Sequence, residues 1–236
     1  MLAGWEWGGL SAIKGSRGKT LYLVALLLSL CAAAIWLHIF QDLDMQRGQH
    51  LVLLASVLWA MIFLWVQGYP SSAILWSGKP VLLVLGLLLL VATWVAIMLI
   101  VHQPQGQWLL LLAIAIVALA DIGYVAGNLF GKHKMAPVIS PGKTWEGFAG
   151  GLLSQSLLFI LLLALVPVTV SLGKLILLIL SVSLYSVLGD LFESMLKRHQ
   201  GVKDSSQILP GHGGILDRID GLMAALPLFI LLIFLL

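Results

Sequence analysis

Charge is what this chain has least of. Of its 236 residues only 10% are Asp, Glu, Lys or Arg and 61% are hydrophobic, whereas a soluble domain is about 25% charged. That scarcity excludes a water-soluble globule and puts the chain in a bilayer. Cysteine is scarcer still: Cys31 stands alone in an apolar run, so no internal disulfide can form and the residue reads as a small core or lipid-facing side chain. A cleavable signal is not expected, because the first twenty residues hold Trp5, Trp7, Lys14, Arg17 and Lys19 without a compact apolar run and a small-residue cleavage site. Internal repeats and low-complexity linkers are missing as well. The net charge of +3 is small, and no nucleic-acid partner is expected from it.

What is present is apolar length. Runs close to the roughly 20 residues that cross a hydrocarbon core occur at about 20–40, 50–67, 80–101, 108–128, 147–166, 174–194 and 215–236. The reading is an all-α, polytopic transmembrane bundle of about seven spans, a single integral membrane domain over residues 1–236. Residues 1–19 form an interfacial segment in this reading, with Trp5 and Trp7 in the headgroup layer. Tyr69 to Trp76 is too short to cross and reads as a loop with an interfacial turn. With seven alternating spans, Lys14, Arg17, Lys19, Lys79, Lys132, Lys134, Lys143, Lys197, Arg198, Lys203 and Arg218 share one face, and Arg47 and Lys174 the other. The positive-inside rule makes the richer face cytoplasmic.

The little charge there is concentrates between Ser194 and Asp220, with Lys197, Arg198, Lys203, Asp204, Asp217, Arg218 and Asp220 on the strip and Glu193 at its edge. Three spans bring acids to the same face: Asp121 on the fourth, Asp190 and Glu193 on the sixth, and Asp217 and Asp220 on the seventh. On a helix Asp190, Glu193 and Lys197 share one side, as do Asp217 and Asp220. Carboxylates at such depth are costly unless they face the bundle interior and meet a cation. They are therefore either structural partners of Lys197, Arg198 and Arg218 or ligands of a hard divalent ion. Gly211, His212, Gly213 and Gly214 form a loop whose backbone N–H groups can cradle phosphate oxygens, or else a plain hairpin between helices.

A second basic loop carries Lys132, Ser140 and Lys143. Its Gly142-Lys143-Thr144 is similar to the end of a phosphate-binding P-loop, but the upstream glycine and preceding strand are missing. Lysines and hydroxyls there suit lipid headgroups or a nucleotide triphosphate, and equally serve as a topology determinant. Few carboxylates, with water and substrate phosphate completing the shell, are what magnesium prefers. The inventory points to phosphoryl-type chemistry on a lipid.

Ser194-x-x-Lys197-Arg198, Lys203-Asp204, Pro210-Gly211-His212-Gly213-Gly214 and Asp217-Arg218-x-Asp220 together resemble the signature of the phosphatidate cytidylyltransferases, or CDP-diacylglycerol synthases. Phe130-Gly131-Lys132-His133-Lys134, the stretch Ser140 to Gly147, and Gly189-Asp190 resemble it too. The likeness covers about residues 108–236 with specific motifs, and before that rests on Leu2 to Trp7 and hydropathy. The chain is short at its amino end beside the family, and Asp121-Ile122-Gly123-Tyr124 is one residue tighter than the family's Asp-x-x-Ala-Tyr.

The resemblance implies that the phosphate of phosphatidic acid attacks the α-phosphorus of CTP, giving CDP-diacylglycerol and pyrophosphate. Asp190, Asp217 and Lys197 would be catalytic, with magnesium on Asp190 and Asp217 and a second cation shared by Asp220 or Glu193. Arg198, Lys203, Arg218, Lys132, Lys143, Ser140 and the 211–214 loop with His212 would bind substrate. CTP would arrive from the cytoplasm and the lipid laterally from the bilayer, in a bacterial inner membrane, with a homodimer as the analogous assembly.

Two other classes compete: a transporter of anions or metal ions, since intramembrane acids and glycine-interrupted helices also mark transport paths, and a silent relative that binds phosphatidic acid without turnover. A CDP-alcohol transferase would need a run of aspartates around Gly-x-x-x-Asp-x-x-x-Asp, which is missing. The face assignment predicts that, in a Cys31→Ser background, a cysteine at position 205 is modified by a reagent on the cytoplasmic side and one at position 46 is not; the reverse pattern overturns it.

Overall fold

The structure, a computed structural model, describes residues 1–165, 171–211 and 213–235, with side chains throughout except at 124–126, 128, 158, 159 and 161–165. In chain order its elements are α1 (Leu2–Leu10), α2 (Ser16–Trp36), α3 (Met45–Gln67), α4 (Ala73–Trp76), α5 (Lys79–Val101) and α6 (Gly106–Phe130). An antiparallel hairpin of β1 (Lys134–Ala136) and β2 (Ser140–Thr144) follows, then α7 (Trp145–Leu165), α8 (Leu172–His199) and α9 (Leu216–Leu235). Among the described residues six stretches are long and apolar enough to cross a membrane: α2, α3, α5, residues 106–123 of α6, α8 and α9. The chain is an integral membrane protein with a helical, polytopic fold. The small β1–β2 hairpin is an addition to the all-α expectation.

Helix ends follow local chemistry. Asp44 caps α3 by accepting from Arg47 N at 3.0 Å, and Pro80 sits in the first turn of α5, where its missing N–H costs nothing. The end of α8 is a Schellman turn: Gly201 takes a left-handed φ of 69°, Gly201 N donates to Arg198 O at 3.1 Å and Val202 N to Lys197 O at 3.0 Å. The chain thus leaves α8 just after its basic last turn.

In a bilayer, lipid tails are as apolar as leucine, so helices associate through close packing and internal hydrogen bonds instead of flight from water. The helix α9 is packed against α3, α5, α6 and α8, with Phe229, Ala224 and Ala225 fully buried. Where α6 meets α7, Gly123, Gly127, Gly147 and Gly151 face each other at helical spacing. A Cβ on Gly147 would stand 2.8 Å from Gly123 O and 3.1 Å from Gly127 Cα. Deeper in the bundle, Gln155 Nε2 donates to Ile116 O at 2.7 Å and Ser183 Oγ to Gln155 Oε1 at 2.6 Å. These two bonds tie α6, α7 and α8 in one plane.

At the amino end the segment expected at the interface packs against the helices. Trp7 is buried and donates from Nε1 to Leu82 O at 2.8 Å, and it packs on Phe192, which meets Trp59 edge-on at 5.6 Å. The helix α1 is therefore a wedge inside the bundle, with its last turns held by α5 and α9. Residues 69–76 form the expected turn, ending in the short α4, whose Trp76 packs against His199.

Close packing of α6 on α7 generates a test. Gly147→Leu should destabilise by about 1–3 kcal/mol through overpacking, read as a lower thermal midpoint in detergent, while Gly173→Ala, whose added methyl meets nothing within 4 Å among the described residues outside its own helix turn, should leave the midpoint equal or slightly higher.

Candidate active site

The short helix-to-helix distances at glycine are what gather the acids. A Cβ on Gly189 would overlap Asp220 O, so α8 and α9 approach backbone to backbone at the level of Asp190 and Asp220. The α6–α7 contact holds Asp121 opposite them. Between these helices and β2 lies a cavity of about 300 Å³ lined by Asp121, Lys143, Asp190, Lys197, Asp217, Arg218 and Asp220, with Thr144, Gly147 and Phe148 completing one wall.

Each acid has a distinct setting. Asp190 pairs with Lys143 from β2 and accepts from Ser194 Oγ at 3.2 Å. Lys197 Nζ donates to Asp217 Oδ1 at 2.6 Å and to Glu193 Oε2 at 2.9 Å. The other oxygen of Asp217 accepts from Gly214 N at 2.7 Å, Ser205 Oγ at 2.8 Å and Ser205 N at 3.0 Å. Asp217 therefore serves four hydrogen bonds while lining the cavity. Asp220 Oδ1 accepts from Gly221 N at 2.6 Å, and its carboxyl lies within hydrogen-bonding reach of Glu193 and in the field of Asp190. Glu193 is buried, and its Oε1 receives no donor.

Of the residues expected at the site, Asp190, Asp217, Lys197, Asp220, Arg218 and Lys143 meet at this cavity, with Glu193 directly behind Lys197. Four others lie outside its lining. Lys132 and Lys203 are exposed, Ser140 opens β2 opposite Ala136, and Arg198 donates from Nε to Ile139 O at 3.1 Å, pinning the hairpin to α8. The expectation on His212 falls outside the described residues.

Gly211 and Gly213 take φ of 75° and 79°, which an L side chain rarely adopts. The turn they allow brings the start of α9 onto two carboxylates. Gly214 N goes to Asp217, while Ile215 N and Leu216 N donate to Glu6 at 3.0 and 2.6 Å. Of the 211–214 N–H groups expected to be available to phosphate, that of Gly214 is engaged within the protein, as are those of Ile215 and Leu216 that follow it.

Three contributors were not assigned from sequence. Glu6, 1% exposed, accepts additionally from Ser206 Oγ at 2.6 Å and Ser205 Oγ at 3.4 Å, and so caps a helix that begins 210 positions later. No local signal reveals such a partner. Thr144 Oγ1 accepts from Gly147 N at 3.1 Å, an N-cap of α7 that its position ahead of a helix could have signalled. Asp121, left without a role, joins the cavity wall.

Among the described residues no three acidic, histidine or cysteine side chains form a ready metal cage. Five carboxyls, Glu193 included, nevertheless stand against the three cations Lys143, Lys197 and Arg218. That excess of carboxyls over cations fits a divalent ion that keeps water and substrate oxygens in its shell.

The sequence profile of the Cytidylyltransferase family matches residues 1–236. The chain belongs to that family. Among cytidylyltransferase relatives, the phosphatidate cytidylyltransferase of Pseudomonas aeruginosa is 40% identical over 241 residues, covering 97% of this chain and 82% of that protein. The one from Haemophilus influenzae is 43% identical over 214 residues, 83% of this chain and 74% of its own length. That of Staphylococcus saprophyticus is 48% identical over 132 residues, about half of either chain, 56% here and 51% there.

In this cytidylyltransferase the Glu6 contact makes a specific prediction. Glu6→Gln keeps the shape but sets an amide among N–H and O–H donors, and leaving buried donors poorly paired costs about 1–3 kcal/mol. A lower thermal midpoint together with faster amide exchange over 205–216 is expected; unchanged exchange there would show that Glu6 does not hold the loop.

Proposed function

We propose that the protein transfers the cytidylyl group of CTP to phosphatidic acid, giving CDP-diacylglycerol and pyrophosphate, as the names of its relatives indicate for them. The observation that carries the reading is the cavity itself. Acids and cations from α6, β2, α8 and α9 converge at one end of an apolar bundle, where a water-soluble nucleotide and a membrane lipid can meet.

The reaction forms one bond from a phosphatidic acid phosphate oxygen to the α-phosphorus of CTP and breaks the bond from that phosphorus to the pyrophosphate oxygen. Lys143, Lys197 and Arg218 are placed to hold phosphate oxygens. Asp217 and Glu193 orient Lys197 from two sides, so that its ammonium is fixed before substrate arrives. Asp190 and Asp220, with Asp121 across the cavity, are the groups suited to hold magnesium, and Asp217 can share it by giving up one hydrogen bond. When bound, magnesium would neutralise phosphate oxygens and favour in-line displacement.

In this reading α7 crosses as well, as the fifth of seven spans. The eleven basic residues then face the cytoplasm of a bacterial inner membrane, and CTP reaches the cavity from there. Transport is disfavoured by the opposite half of the bundle, where Leu99, Ile116, Val182 and Phe229 are buried at 2% exposure or less and close the way with apolar side chains.

The test is conversion of CTP labelled at the α-phosphate into lipid by the purified protein with phosphatidic acid and magnesium. Labelled lipid and released pyrophosphate are expected; label that stays water-soluble under all divalent ions would refute the activity. In the same assay Asp190→Asn should abolish turnover and the thermal stabilisation by magnesium while the fold without magnesium is retained. Asp217→Asn should lower the midpoint even without magnesium, because an NH2 replaces one of the two acceptor oxygens and faces either Lys197 or the Ser205 and Gly214 donors.

A further inference from the structure

A second cavity, of about 610 Å³, lies beside the charged one, between α3, the β1–β2 hairpin, the start of α7 and α8. Met135, Phe148 and Val187 line both, so the two adjoin across these three side chains. Among the described residues no charged side chain lines the second cavity, and its walls are made by residues such as Phe63, Val66, Pro137, Leu188 and Leu191. The volume is within the roughly 300–1,000 Å³ common for sites that enclose small ligands.

Its walls are fixed by polar ties on their outer sides. Tyr185 OH donates to Ser56 O at 3.2 Å, joining α8 to α3, and Arg198 holds the hairpin through Ile139 O. At its outer rim Phe63, Val138 and Leu184 are 46%, 61% and 53% exposed, and Phe63 and Leu184 belong to helices that cross the bilayer. An apolar chain can slide in from the membrane without passing through water.

We propose that this groove holds an acyl chain of the lipid substrate, with the glycerol end at Met135, Phe148 and Val187 and the phosphate among Lys143, Lys197 and Arg218. The assignment rests on the cytidylyltransferase reading, in which the lipid phosphate must lie in the charged cavity and its chains must leave it on an apolar side. The groove is the apolar space that adjoins. Moving a chain from bilayer to groove changes its surroundings little, because both are hydrocarbon. The groove therefore acts on alignment and on choice of chain, by holding the phosphate in reacting position.

The experiment compares kcat/KM for dioleoyl and dihexanoyl phosphatidic acid in mixed micelles. Ala60→Phe and Leu184→Trp, both narrowing the groove at positions outside the charged cavity, should each lower the dioleoyl to dihexanoyl ratio by about tenfold, the scale of shape discrimination in an apolar pocket. Phe63→Ala, which widens it, should raise the ratio. Thermal midpoints establish that each variant is folded. A ratio unmoved in all folded variants, with the parent enzyme active, overturns the acyl site and leaves the activity standing. A raised KM for CTP with an unmoved lipid ratio also overturns it, by assigning the groove to the nucleotide. A parent inert toward both lipids instead overturns the enzymatic reading.

Discussion

The site depends on how the first turn of α9 is satisfied. A helix begins with unpaired N–H groups, and here two carboxylates take them up: Asp217 from within the helix and Glu6 from the far end of the sequence. The positive end of the helix dipole favours both charges. Because Asp217 also receives Lys197, the same capping arrangement that starts the helix sets the ammonium that faces the cavity. Loop, helix start and cation are one connected polar unit, and each part lacks its geometry without the others.

The apolar bundle contributes distance. Glycine contacts bring α6 to α7 and α8 to α9 at backbone range, which no pair of larger residues permits. The acids they carry are consequently forced close together, at an electrostatic cost that partners must offset. Lys143, Lys197 and Arg218 supply part of that compensation. The remaining carboxyls are the groups that the proposed reading assigns to magnesium.

Much of this was legible beforehand for physical reasons. Apolar length locates the crossing helices, since the bilayer imposes it, and the i, i+3 spacing of Asp190 with Glu193 and Asp217 with Asp220 puts each pair on one side of its helix. Counting lysines, by contrast, cannot separate Lys143, which lines the cavity, from Lys132 and Lys203, which are exposed; only the course of the hairpin and of the α8–α9 connection decides. Glu6 was unreadable because its partners are 199 to 210 positions away, and its neighbours Trp5 and Trp7 suit a membrane surface as well as a core. The glycine loop was recognised as a place of close backbone approach, but its last donor, Gly214 N, turns toward Asp217 of the protein itself.

The bond between Glu6 and the start of α9 also bears on how the molecule comes into being. A ribosome delivers residue 6 well before residue 216, 210 positions later, so the nascent chain carries a carboxylate that waits, without its helix, through the insertion of every intervening span. Only when α9 is in place can that charge meet its donors. Assembly of the site is thereby coupled to the arrival of α9, and a chain interrupted before it would leave an uncompensated acid inside the bundle.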